Sequence, residues 1–437
     1  MPHSIVISHT ACRGCTNCLK SCPTEAIRVI NGSITILNEL CIDCGECLRV
    51  CGRSALCLDD DDWETIHVHG SVNALPDPTF FAQFGSFFYP DNARELLVHH
   101  GINIIIDDME NAFDLSAYAT ARIIEDTPRE HLPLISVYCP SVVSLIQLEY
   151  PELISRLLPT ENPIDICADM WRKKTQSYAP LTLFTPCPSK VTLVRDPTEK
   201  RPSTIQHIVS IQKVVHALRA AGIKAPTDDS ADEAIKRRFA GWAMIGGESR
   251  HISRFGRRHF TTLSVSGLRN TMDLLRQIEL GLLQGVDFVE CRTCDFGCFG
   301  GVAVLESRFL SHVKNRNIVS GWKLPEGIEE RLEPIYNDTK IWKRSSPIPA
   351  KQRLPLSDDL SIAVAKMKRM EAIYGDMPHI DCGACGRPSC RALAEDVVRE
   401  QGDMSDCIFK LREGIASLAG QIVRLAEHQP KPTQKNI

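Results

Sequence analysis

The sequence predicts an α/β core, with a small α+β domain before it and a small, mostly helical domain after it. Three observations point there. Between about residues 63 and 344, short apolar runs such as 102–106 and 181–184 alternate with helical patterns such as 117–124, the signature of strands and helices in alternation. Before that stretch, one cysteine pattern occurs twice within 58 residues. After it, the proline-rich residues 345–357 read as a linker into further helices. At 437 residues the chain is long enough for several domains and a large core.

Composition narrows the function classes. Hydrophobic residues make up 43% and charged residues 24%, as in ordinary globular chains. A net charge of −4 argues against nucleic acid as a partner. No run of eighteen apolar residues occurs, and the first residues lack the apolar core of a signal peptide. No membrane span is therefore expected, and a cytoplasmic location is. Nineteen cysteines stand out. In a reducing compartment they read as metal ligands rather than disulfides. All but Cys57, Cys167 and Cys291 fall into three sets, and those three read as small buried hydrophobes.

The first set occupies residues 1–58. Cys12, Cys15, Cys18 and Cys22 are followed, at the same spacings, by Cys41, Cys44, Cys47 and Cys51. Spacings of two residues let three thiolates converge on one inorganic core. The doubled run resembles the bacterial ferredoxin with two 4Fe–4S clusters, and zinc knuckles are the remote alternative. The resemblance implies cross-ligation: Cys12, Cys15, Cys18 and Cys51 for one cluster, Cys41, Cys44, Cys47 and Cys22 for the other. Between the runs, residues 26–29 and 33–36 read as a hairpin about Asn31-Gly32, a favoured two-residue turn. The four aspartates 59–62 read as a solvated boundary.

In the core, residues 134–137 and 181–184 read as buried strands that end at Tyr138-Cys139-Pro140 and at Pro186-Cys187-Pro188-Ser189-Lys190. Strands ending at functional loops imply ligands at their carboxyl ends. A strand over 286–289, after a helix over 270–283, delivers Glu290-Cys291-Arg292-Thr293-Cys294, then Cys298 and a glycine pair. Residues 203–221 read as one amphipathic helix, and the basic cluster 250–259 as a solvated loop.

Cys-Pro, Pro-Cys-x-x-Lys and Glu-x-x-x-Cys-x-x-x-Cys-x-Gly-Gly, in that order, resemble the large subunit of iron-only (FeFe) hydrogenases over roughly residues 68–305. The resemblance implies two lobes around a 4Fe–4S cube held by Cys139, Cys187, Cys294 and Cys298. It adds a di-iron unit with CO and CN ligands, bridged through Cys298. Lys190 matches the lysine that contacts a cyanide, and Glu290 the acid before the third cysteine. With Tyr138 these are the candidate catalytic residues. The departures all concern turnover. Tyr138 stands where the family has a proton-donating cysteine, and Leu158, Ala119 and Arg122 stand where its relay has a serine and two glutamates. Thr185 and Arg292 replace methionines that pack the di-iron unit. A phenol is a poorer acid than a thiol near neutral pH. The pattern is similar to that of the divergent, sensory members of the family.

After the linker, Cys382, Cys385, Cys390 and Cys407 resemble the four-cysteine iron–sulfur module of corrinoid iron–sulfur proteins, with structural zinc as the alternative. The last helix spaces Ile408, Leu411, Ile415, Leu418, Ile422 and Leu425 as a heptad seam, for a dimer, a docking partner or packing back onto its own domain. The expected architecture is residues 1–58, 63–344, linker 345–357, and 358–437. The expected function is redox or hydrogen sensing, or electron transfer to a redox or signalling protein. The alternatives are an active hydrogenase with another proton path, through Tyr138 or Cys291, and an electron-delivery subunit for a corrinoid or reductase partner.

Overall fold

A computed structural model of the chain describes residues 3–428, apart from 69, 85–89, 197–202, 223–236, 352 and 354. The chain forms two compact units: residues 1–6, 42–49 and 56–351, and residues 7–41, 50–55 and 352–437. The two cysteine runs at the amino end are thus shared between them.

The first unit has an α/β fold built on two parallel sheets. One orders its strands Ile102–Ile104, Val72–Pro76, Leu181–Thr185 and His207–Ser210. The other orders Thr262–Ser266, Phe288–Arg292 and Leu134–Ile135. Leu181–Thr185 and Phe288–Arg292 are buried at every residue, as strands covered on both faces must be. Parallel strands share a carboxyl edge, and past those ends come Asp77, Cys139, Cys187 and Cys294. Helices start there at once. Cys139 caps Pro140–Glu149 and Cys187 caps Pro188–Arg195, each with proline as its first residue. Proline is favoured at that position because its missing N–H has no helical partner to lose. These two Cys-Pro pairs are therefore helix starts.

Several expectations for this unit are corrected, among them that Cys57 is buried: it is exposed. Residues 203–221 hold a strand, His207–Ser210, before the helix Ile211–Ala220. The strand pairs with Leu181–Thr185, and on its outer edge Asp60 and Asp61 accept the N–H groups of Ser210 (2.7 Å) and Ile208 (2.8 Å). The aspartate run is for that reason no mere solvated boundary: the Asp60 side chain is 1% exposed and pairs with Lys213. Residues 250–255 of the basic cluster are not a loop. Gly247–Phe255 is a helix that buries His251, Ile252 and Phe255 on one face, and its arginines obscured that stripe. The start of the linker is pinned as well, since Gln147 donates to the carbonyl of Pro349 and accepts the N–H of Lys351 at its own carbonyl.

In the second unit, Ile27–Ile30 and Ser33–Ile36 pair antiparallel. Asn31 and Gly32 both take positive φ, 53° and 75°, as the expected turn requires. The doubled cysteine pattern is also doubled in space. Ala26 donates its N–H to Cys22 Sγ at 3.2 Å, and Ala55 donates to Cys51 Sγ at 3.3 Å. The carboxyl-terminal part is helical: Leu360–Gly375, Cys390–Val398 and Ile408–Glu427. Its core joins Met377, Leu393, Val397 and Cys407, with Cys385, Cys390 and Phe409 packed against them. Among the described residues, no helix is long and apolar enough to cross a membrane.

Candidate metal centres

Three strand ends bring the central thiols together, and a fourth brings Asp77 beside them. Burial pushes the Cys294 thiol well above its usual range, and Cys187, Cys139 and Cys298 push it further in the same direction. Burial pushes Cys298 up to about 12, and Cys139 adds to that. Thiols that repel one another's charge this way are poor thiolates alone and good ligands for a shared cationic core. The glycines that follow shape the loop. A Cβ on Gly300 would lie 2.1 Å from the carbonyl oxygen of Asp295, and one on Gly301 would lie 2.8 Å from that of Pro186. Only glycine lets the Cys298 loop close against the loop that carries Cys187.

The same unit seats Cys44 and Cys47 beside this site. Gly45 lies against Pro188 and Val302, and Arg49 donates to the carbonyl of Gly300 at 2.6 Å. Asp43 accepts the hydroxyls of Thr192 (2.6 Å) and Ser4 (3.2 Å).

The Cys298 side of the site is filled with charged and aromatic side chains. Tyr138 is 1% exposed. The Lys190 ammonium lies 4.3 Å from the centre of its ring and the Arg292 guanidinium carbon 4.6 Å from it. Phe113 and Trp242 pack edge-on, at 6.1 and 5.3 Å. Lys190 also donates to the Tyr138 hydroxyl at 3.2 Å and forms a buried ion pair with Asp77. Arg292 donates to Glu248 at 2.7 Å and lies 3.4 Å from Glu290. Burial pushes Tyr138 well above the usual phenol range, against the nearby Lys190 charge. Burial likewise pushes Glu248 up to about 7, although Arg292 opposes it.

Glu290 has a positioning role. Its carboxylate accepts the N–H groups of Gly246 (3.1 Å) and Ser249 (2.9 Å) at the start of Gly247–Phe255, where the helix end favours negative charge. Leu158 and Ala119 are buried and apolar. Arg122 is held by Glu125, by the carbonyl of Phe255 and by Glu329. Cys291 is fully buried in mid-strand, and its thiol is raised by burial. Sequence reasoning missed Asp77 and Glu248. Asp77 was within reach, since it follows the strand Val72–Pro76 as the cysteines follow theirs.

Within the other two sets, some thiols lie close enough to act on one another. Cys18 is pushed up to about 11 by burial, with Cys15 and Cys12 adding to the rise. Cys385, Cys390 and Cys407 share one core, and the Cys382 charge raises Cys385 further. None of the nineteen cysteines forms a disulfide. Among the described residues, no three His, Cys, Asp or Glu side chains close on the single point a lone metal ion would take.

Comparison with known proteins finds three matching stretches of the chain. Residues 11–56 match the family described as 4Fe-4S dicluster domain, and residues 377–409 match a family of Fe-S cluster segments. Residues 72–255 match iron only hydrogenase large subunit, C-terminal domain. Among solved structures, the chain is similar to two FeFe hydrogenase HydA1 structures from Chlamydomonas reinhardtii. A variant and an apo form are each 14% identical and cover 65% of this chain and 95% of theirs, with TM-scores of 0.47 and 0.48. A third, described as showing stepwise H-cluster assembly, is 14% identical, with coverages of 67% and 97% and a TM-score of 0.46. No curated protein matches. Three stretches of the chain thus match iron–sulfur families, and the longest of them matches that of the iron-only hydrogenase large subunit.

Proposed function

We propose that this chain is an electron-transfer protein holding four 4Fe–4S cubes, and that its central site carries a cube alone, with no di-iron unit. The cubes would supply one-electron exchange at low potential. Cys139, Cys187, Cys294 and Cys298 would hold the central one. The observation that carries this reading is the Tyr138 ring clamped between Lys190 and Arg292 on the Cys298 side. A di-iron unit there would need an unengaged lysine for a cyanide, soft walls and a proton donor. Lys190 is instead committed to Asp77 and Tyr138, and a charged, paired Arg292 takes the place of a thioether wall. The residues fit a cube and do not fit the di-iron unit.

Proton delivery fails on the same grounds. Tyr138 is held protonated by burial, and Leu158, Ala119 and Arg122 pass nothing to it. Hydrogen evolution by the reconstituted protein with excess strong reductant should lie at least about a hundredfold below that of a relay-competent hydrogenase, the lower end of what positioned acid–base groups contribute. Anaerobic analysis should give about sixteen iron and sixteen sulfide per chain. Rapid hydrogen evolution would sink the reading; so would about eight iron with stoichiometric zinc.

A further inference from the structure

The second unit joins the carboxyl-terminal cysteines to the amino-terminal ones through backbone and buried charge. Val29 donates its N–H to the carbonyl of Gly386 at 2.8 Å. Gly386 has φ of 77°, and a Cβ there would lie 2.0 Å from the carbonyl oxygen of Val29. Arg28 of the hairpin donates to Asp396 of Cys390–Val398 at 3.0 Å, and Arg387 donates to the same carboxylate at 2.9 Å. Arg387 also holds the Cys385 carbonyl at 2.9 Å. These side chains are about 5% exposed. A buried ionic network of this kind specifies one geometry more than it adds stability. What it fixes is close contact between ligand loops: Gly383, between Cys382 and Cys385, lies against Leu19 and Lys20, the two residues after Cys18.

We infer that the Cys382, Cys385, Cys390 and Cys407 module is the electron port of the chain, passing electrons through the Gly383–Leu19 contact to the Cys12, Cys15 and Cys18 loop. This rests on reading both sets as 4Fe–4S sites. The donor is an external one-electron redox protein, and Cys382 is exposed to meet it. In each passage the donor loses one electron and the Cys12 set gains it; no bond changes and no proton moves.

Paramagnetic resonance of the fully reduced whole chain tests the docking. In the native protein, the signal of the carboxyl-terminal site should be broadened by spin coupling to an amino-terminal one. Gly386→Val should abolish that coupling and slow reduction of the remaining sites by a protein donor at least tenfold, with the iron content unchanged. If that variant loses iron, Arg28→Met, which removes the ion pair and leaves every ligand loop intact, should weaken the coupling in the same direction. Cys382→Ala should slow reduction equally. Coupling and rates that survive these changes would overturn the port. A native protein about four iron short, with zinc in their place, would instead overturn the cofactor reading beneath it.

The last helix carries a separate signal. Ile408–Glu427 touches its module through its first turn, by Phe409 and Lys410. The seam residues Ile408, Leu411, Ile415, Leu418, Ile422 and Leu425 are 39–74% exposed. Isoleucine fills every a position and leucine every d position, the combination that favours parallel two-stranded coils. The flanking positions, Arg412, Gly414, Ala419, Gln421 and Ala426, set no like charges against each other across such a pair. We propose that two copies of the chain pair in parallel through this helix. Sedimentation of the whole, cluster-loaded protein should give a dimer. Leu418→Lys should make it a monomer, while Ile415→Asn should leave a weaker dimer, since parallel dimers accept one buried asparagine. A native monomer at high concentration, or a dimer indifferent to Leu418→Lys, overturns the pairing.

Discussion

In the amino-terminal runs, cysteine sulfurs meet backbone: Ala26 and Ala55 donate N–H groups to Cys22 and Cys51. In the central site, the sulfurs meet side-chain charge: Lys190, Asp77 and Arg292 all act on Cys298. The difference shows how two kinds of iron–sulfur site are tuned. Backbone donors come with the loop and follow from spacing alone. Buried cations depend on distant partners, here Asp77 and Glu248 on other strands and helices, and so they can change while the cysteines stay. In the proposed reading, such a core keeps its ligand set while charged side chains fill the Cys298 side.

The largest expected effect lies in the amino-terminal runs. Cys22→Ser should remove one whole cube, and by cross-ligation it should be the one built from Cys41, Cys44 and Cys47. Selective labelling with resonance detection would assign the loss. Loss from the Cys12 side would break the pairing.

Next comes the charge at the centre. A cation beside a cube favours the reduced, more negative state. Arg292→Met should therefore lower the central potential by more than about 60 mV, a tenfold change for a one-electron couple. The amino-terminal potentials should stay put. Redox titration followed by resonance would show both, and a uniform shift of all couples would contradict the contrast.

The smallest effect is one of pH. Burial raises Glu248 to about 7, so it is mostly protonated below that pH and ionised above it. Once ionised, it offsets Arg292 and disfavours reduction. The central potential should fall as pH rises through about 7, by less than the ~60 mV step above, and Glu248→Gln should remove the pH step. An equal slope at the amino-terminal sites would mean that Glu248 is not its source.

Much of this organisation is legible in the sequence because it is local. The cysteine spacings, the Asn31-Gly32 turn and the Cys-Pro helix starts each depend on a few adjacent residues. The strand His207–Ser210 was not legible, since Asp60 and Asp61, some 150 positions earlier, hold its backbone. Gly247–Phe255 was hidden by charge, and its start is set by Glu290 from another element. The partners of Lys190 and Arg292 are equally remote in sequence, so the filling of the Cys298 side could be seen only once the strands were assembled. Leu158, Ala119 and Arg122 were readable as non-relay residues from their side chains alone.

Infrared spectroscopy after anaerobic co-expression with hydrogenase maturation proteins tests the central claim most directly. Iron-bound CO and CN absorb where protein does not. The expected result is a silent spectrum from a protein that carries all its cubes, with bands emerging only when Tyr138 and Arg292 are both replaced by smaller, uncharged side chains. Strong CO and CN bands from the unaltered chain would contradict it.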